Sequence, residues 1–362
     1  TQWSRSGHAV TFTSRSVGRL DRRRMKAAYL ERAGEISIRD IERPRPGPDE
    51  VLVKVESIGV CASDVHYYEH GRIGPFVVEE PLILGHESAG EVVEVGAEVT
   101  DLVVGDRVSM EPGVPCGRCG YCRTGRYNLC PDVVFMATPP VHGAFCEYIV
   151  HPANYCYPMP DNMTYDEAAM MEPLSVGLFA TERSGARAGN RVAVLGAGPI
   201  GLATLLALNA QGITNVTLFD VVDFRVQKAL ELGAAAAVNA VEVDLAADFA
   251  GRFDVVLETA GSEITTAAAT RIAAAGATVV LVGHVTSETV PIDTNELIIK
   301  QLNVVGSFRY ANTYPRGIEL VAAGKIDVAK LISRHFTLEQ TEAALRFARD
   351  AKDECIKAVV TP

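Results

Sequence analysis

The apolar run Arg191-Val192-Ala193-Val194-Leu195 leads straight into Gly196-Ala197-Gly198-Pro199-Ile200-Gly201, and an apolar helical stretch follows over residues 200–211. G-x-G-x-x-G is a weak pattern alone, but between a strand and a helix it specifies a phosphate-binding turn. The first glycine makes the turn and the second lets backbone approach a pyrophosphate. The third lets helix and strand pack closely, while the helix N-terminus faces the phosphate charge. Gly196, Gly198, Ile200 and Gly201 are therefore candidate dinucleotide contacts. The next strand, Val216-Thr217-Leu218-Phe219, ends at Asp220, nineteen residues past Gly201. An acid there hydrogen-bonds ribose hydroxyls and repels a 2′-phosphate, which predicts NAD rather than NADP. Arg225 pulls the other way, because a nearby arginine accepts a 2′-phosphate.

The strand–helix alternation continues through a helical pattern at 226–232 and strands at 254–257 and 278–282. It predicts an α/β domain over 173–309, a doubly wound parallel sheet covered on both faces. Residues 25–172 read differently, as short β-rich runs such as 51–55 and 91–95, broken by Pro44-Arg45-Pro46-Gly47-Pro48 and Val104-Gly105-Asp106. The tail 310–362, with a helical pattern at 339–349 and a final strand at 356–360, is too small to stand alone. It is assigned to the first domain. Residues 1–24 hold six arginines and one acid, Asp21, among several serines. That composition suits a transit peptide or a start assigned upstream of Met25, and the segment is expected to lie outside the fold.

Of eight cysteines, four fall at Cys116, Cys119, Cys122 and Cys130. Such clustering favours metal over disulfides in a reducing compartment. Four thiolates around one ion leave no open position, which predicts a structural zinc. An iron–sulfur cluster is disfavoured by Arg118, Arg123 and Arg126 and by the lack of a second cysteine set. A net charge of −11 argues against a general nucleic-acid binder. No apolar run reaches the roughly 18 residues a membrane span needs.

A second set of metal-type residues lies outside this lobe: Cys61, His86-Glu87, and Glu172 at the seam between the domains. Each alone has an ordinary structural reading; their co-occurrence with a nucleotide turn and a cysteine lobe argues for a site. The segments Gly59-Val60-Cys61-Ala62-Ser63-Asp64-Val65-His66-Tyr67-Tyr68, Gly71-Arg72-Ile73-Gly74, Gly85-His86-Glu87, Ala137-Thr138-Pro139-Pro140, Glu172-Pro173-Leu174-Ser175-Val176-Gly177 and Gly306-Ser307-Phe308-Arg309-Tyr310 occur in this order. In these blocks, over 25–362, the chain resembles the zinc-containing medium-chain dehydrogenases, above all the sorbitol (L-iditol) and xylitol dehydrogenases.

The resemblance implies a GroES-like β-rich catalytic domain joined to a Rossmann coenzyme domain, with two zinc ions per chain and NAD. It makes Cys61, His86 and Glu87 ligands of a catalytic zinc with water in the fourth place. Glu172 holds that water or ligates directly. Alcohol dehydrogenases of the family carry a second cysteine at the seam, so Glu172 points to sugar alcohols, whose diols suit an oxygen-rich site. The implied substrate contacts are Tyr67, Arg309 and Tyr310, with Phe135 and Thr138 lining the pocket; Val282, Gly283, Phe308 and Arg309 approach the nicotinamide. Ser63 takes the released proton and passes it through the ribose to His66, and Asp64 braces His86. Animal sorbitol dehydrogenases lack the four-cysteine lobe, so the resemblance is to a microbial-type member. It further implies a cytoplasmic homotetramer acting on a small-molecule polyol, with no nucleic-acid or membrane partner. A threonine, butanediol or other secondary-alcohol dehydrogenase is the alternative. A zinc-free reductase would lack Cys61, His86 and the lobe, and a zinc-ribbon binding protein would not need the nucleotide turn.

Overall fold

The computed structural model describes residues 23–362. The reading of the arginine-rich start as an extension falls on residues 1–22, outside those described, although the first strand, Arg24–Arg32, already includes Arg24.

The fully apolar strand Val192–Leu195 is buried along its whole length, as a central strand covered on both faces must be. Six parallel strands run in the order Ala236–Asn239, Val216–Asp220, Val192–Leu195, Phe253–Glu258, Ala273–Leu281, Asn303–Gly306. The chain order reverses beside Val192–Leu195, the switch point at which open α/β sheets bind ligands. The nucleotide turn sits at its carboxyl end. There Gly198 caps the helix Pro199–Ala210, and Pro199 pre-sets the first helical turn. That helix is apolar on nearly every side and is buried accordingly.

The other lobe is built on an antiparallel sheet whose central strand, Glu50–Gly59, pairs with Glu87–Val95, Tyr148–Pro152 and Lys357–Thr361. Its register sets Gly59 opposite both Glu87 and Val359. Three distant segments thus end side by side, and the tail does return to the first lobe. Among the elements with no sequence reading are the strands Ala236–Asn239, Asn303–Gly306 and Ile332–Thr337 and the helix Tyr314–Ala322. The first is an Ala-Ala-Val-Asn strand held by pairing with Val216–Asp220, since it has little side chain to signal itself.

No gap in the core marks the expected boundaries at 172/173 and 309/310. Met159, Met171, Leu174 and Leu178 share one apolar cluster with Leu202 and Leu205 of the nucleotide helix and with Tyr314, Ile318 and Leu331 of the tail. The helix Met171–Ser184 crosses this seam. It meets Pro199–Ala210 at Gly177, where a Cβ would stand 2.7 Å from the backbone of Ala203 and Thr204. Gly177→Ala should therefore push the two helices apart and cost about 1–3 kcal/mol, read as a drop of several degrees in the thermal unfolding midpoint.

Candidate active site

The strand Glu50–Gly59 delivers the chain to Cys61, the N-cap of the helix Ala62–His70. Asp64, in the first turn and fully buried, folds back so that its Oδ2 accepts the Cys61 N–H at 2.9 Å. Its Oδ1 accepts the Gly85 N–H, also at 2.9 Å. One carboxylate therefore ties the Cys61 loop to the Gly85-His86-Glu87 loop. The same Oδ1 lies 3.7 Å from His86 Nδ1, beyond hydrogen-bond length but close enough to orient the ring electrostatically.

Cys61, His86 and Glu87 each bring a donor atom within 4.8 Å of the others. A thiol, an imidazole and a carboxylate, with His86 and Glu87 buried and Cys61 half-buried, make the donor chemistry of an open zinc site. The field agrees: burial works to lower the His86 pKa, yet Cys61 and Asp64 raise it well above the ordinary value.

Two neighbours complete the surroundings. Lys357 is buried and donates to both Glu87 oxygens at 2.7 Å and to the Val60 carbonyl at 3.0 Å. Burial opposes its charge, but Glu87 and Cys61 hold its pKa above the usual lysine value. Glu172, in the first turn of Met171–Ser184, stands outside the three-donor set; its Oε1 accepts the Tyr310 hydroxyl at 2.9 Å. Burial raises its carboxyl to about 7, with His86 opposing and Glu87 adding to the rise. Burial and Glu172 together keep Tyr310 protonated and donating.

Phe135 lies 5.6 Å from the His86 ring, and the Arg309 guanidinium sits 4.1 Å over Phe135. Tyr67 is buried beside Thr138, and burial raises its hydroxyl's pKa. Arg309 Nη1 is buried with no hydrogen-bond partner among the described residues, and burial lowers that side chain's pKa. Ser63 and His66 are not joined: Ser63 is half-buried, His66 is exposed one turn later, and no hydrogen bond links them. Phe308 is 41% exposed and meets His284 edge-on. Val282 and Gly283 both donate backbone N–H groups to the Glu258 carbonyl.

In the nucleotide turn Gly196 has φ +99, and a Cβ on Gly201 would lie 1.8 Å from the Gly196 carbonyl oxygen. Ile200 lies in the first turn of the helix. Asp220 braces the turn, accepting the Ala197 N–H at 2.7 Å and the Val222 N–H at 3.0 Å. Arg225 lies beside Gly198 with a buried Nε that has no partner among the described residues.

The sulfurs of Cys116, Cys119, Cys122 and Cys130 also fall within 4.8 Å of one another, as free thiols. Backbone N–H groups already point at them, Cys116 N to Cys130 Sγ at 3.3 Å and Cys122 N to Cys119 Sγ at 3.5 Å. Four soft donors and no other ligand fit a closed tetrahedral zinc.

Sequence reasoning missed Lys357 and Glu111. The first is a lone charge inside an apolar strand, which was its available signal. Glu111 follows the strand Arg107–Met110, is 1% exposed, and accepts the Tyr157 hydroxyl at 2.8 Å; burial raises its carboxyl to about 7.

Residues 47–161 match the alcohol dehydrogenase GroES-like domain, and residues 199–323 match the zinc-binding dehydrogenase family. The sorbitol dehydrogenase of Bacillus subtilis is 42% identical over 343 residues, 93% of this chain and 97% of that one. That of Gallus gallus is 40% identical, over 92% and 95% of the two chains. Among solved structures, 2R,3R-butanediol dehydrogenase from Bacillus subtilis superposes with a TM-score of 0.85 at 32% identity, covering 93% of this chain and 99% of that one.

Lys357→Met strands the Glu87 carboxylate and should cost about 3–5 kcal/mol in metal-stripped protein. Adding Glu87→Gln should recover most of that loss, measured by thermal unfolding of the single and double variants.

Proposed function

The chain belongs to the zinc-containing medium-chain dehydrogenases, and from that premise we propose that it oxidises a secondary hydroxyl of a sugar alcohol to the ketose with NAD, at a zinc held by Cys61, His86 and Glu87. Zinc there supplies Lewis acidity toward the substrate hydroxyl, and the nicotinamide supplies the hydride acceptor.

The observation that carries the reading is the convergence of those three donors beside a wall of hydroxyl-binding groups. Tyr310, donating to Glu172, and Arg309, with a buried unpaired donor, suit a substrate bearing several hydroxyls. Phe135 and Thr138 line the same pocket, and Tyr67 contributes its hydroxyl. A buried polar donor left unpaired by a simple alcohol costs free energy that a polyol recovers. Glu172 is the acid that holds the fourth zinc position, directly or through water. Ser63 at the buried end and exposed His66 one turn on give the released proton a way to solvent, and imidazole, with an unperturbed pKa near 6.5, suits that exit. Asp64 fixes both zinc-site loops and the His86 ring.

The dinucleotide lies along Gly196, Gly198, Ile200 and Gly201 with its ribose toward Asp220. Val282, Gly283, Phe308 and Arg309 face the nicotinamide end. Cys116, Cys119, Cys122 and Cys130 hold the second zinc, which is structural. The protein acts as a homotetramer in the cytoplasm. The free edge strand Asn303–Gly306 beside exposed Ile298 and Ile299 supports association. Eight free cysteines support a reducing compartment. Among the described residues no helix is long and apolar enough to cross a membrane.

NADH formation across sorbitol, xylitol, ribitol, iditol, threonine and butanediol tests the substrate class; turnover confined to threonine or butanediol would overturn the polyol reading and leave the zinc site standing. Cys61→Ala should lower turnover by more than about 100-fold, since even groups that only brace a ligand are worth 10–100-fold. Cys119→Ser should instead lower the thermal midpoint and remove one zinc per chain, as measured by atomic absorption.

A further inference from the structure

The four-cysteine lobe touches the segment that carries Arg309 and Tyr310. Asn128 Nδ2 donates to the Phe308 carbonyl at 2.9 Å. The Asn312 N–H donates to the Tyr127 hydroxyl at 2.8 Å, and Asn312 Nδ2 donates to the Gly125 carbonyl at 2.8 Å. Gly125, Tyr127 and Asn128 all lie between Cys122 and Cys130. On the receiving side, Arg309 has φ +50, a left-handed conformation that a long side chain keeps only where its surroundings impose it, and Asn312, a residue that tolerates that region, follows at φ +61. Tyr127 packs beside Glu111, the buried carboxyl that accepts the Tyr157 hydroxyl. The segment so held sets the Arg309 guanidinium 4.1 Å over Phe135 and 4.8 Å from Phe308, and brings Tyr310 onto Glu172.

We propose that the lobe is a positioning element for substrate recognition: Tyr127 and Asn128, anchored between the zinc-type cysteines and Glu111, hold residues 308–312 in the conformation that presents Arg309 and Tyr310 to the site. Affinity for a polyhydroxylated chain then depends on two side chains that do not touch it. The bonds of Tyr127 and Asn128 go to the main chain of the segment, so they set its path whatever the segment's own side chains contact. What Arg309 and Tyr310 contact rests on the polyol reading; the clamp itself rests on the hydrogen bonds.

The test uses the full-length, zinc-loaded chain carrying Tyr127→Phe, which keeps the ring and removes the hydroxyl, or Asn128→Ala. Should Asn128→Ala fail to fold, Tyr127→Phe decides alone. Two readouts are taken: steady-state kinetics with sorbitol, and amide hydrogen exchange over 308–312 without substrate. The expected result is a sorbitol KM raised about threefold to tenfold, the loss of one hydrogen bond. The kcat, the KM for NAD, the zinc content and the thermal midpoint stay essentially unchanged, and exchange at 308–312 accelerates. Unchanged exchange, or a KM rise accompanied by zinc loss or a lowered midpoint, overturns the clamp. If the wild-type chain oxidises no polyol, the substrate reading fails instead, and the exchange measurement still decides the clamp.

Discussion

Asp64 sits where two chain segments must be locked together before any metal site can exist. Its two oxygens accept backbone N–H groups from Cys61 and Gly85, residues 24 positions apart, in a fully buried setting. A charged acceptor serving two donors away from water is strong and directional. Without it the Cys61 loop has a cap but no partner, and His86 loses the group that turns its ring. The sheet register does the coarse work by putting Gly59 opposite Glu87; Asp64 does the fine work within that frame.

Around this bond the protein buries an unusual amount of charge. Glu87, Lys357, Glu172 and His86 are all withdrawn from water, and each has its own partner or neighbour there. Buried ion pairs contribute little net stability and are retained where they serve specificity or function. Lys357 satisfies Glu87 from one side while the carboxylate still faces Cys61 and His86.

The nucleotide turn and the cysteine lobe were legible in the sequence because each is local: a few residues at fixed spacing encode the whole geometry. The parallel sheet was legible from its strong strands, such as Val192–Leu195. Ala236–Asn239 was not, because small residues pack there by pairing rather than by bulk. Cys61, His86 and Glu87 gained meaning from their company, a nucleotide turn and a cysteine lobe, and their ligand roles from resemblance, as their spacing of 25 and 26 positions encodes nothing by itself. Lys357 lies 270 positions from Glu87 and enters through the last strand, a meeting that only the register reveals. Glu111 escaped for a similar reason: its partner Tyr157 sits on the strand Cys156–Pro158, 46 positions away.

Gly177 allows two helix backbones to touch, and that contact decides which half of the molecule owns Glu172. The helix Met171–Ser184 is locked to Pro199–Ala210, whose first turn lies at the nucleotide turn. Glu172 therefore rides on a helix packed against the nucleotide helix, while Cys61, His86 and Glu87 stand at the end of the strand pair Glu50–Gly59 and Glu87–Val95. Any shift of that helix against the strand pair changes the span between the seam carboxylate and the other three donors. The site is a vernier, with its fourth mark engraved on the opposite scale.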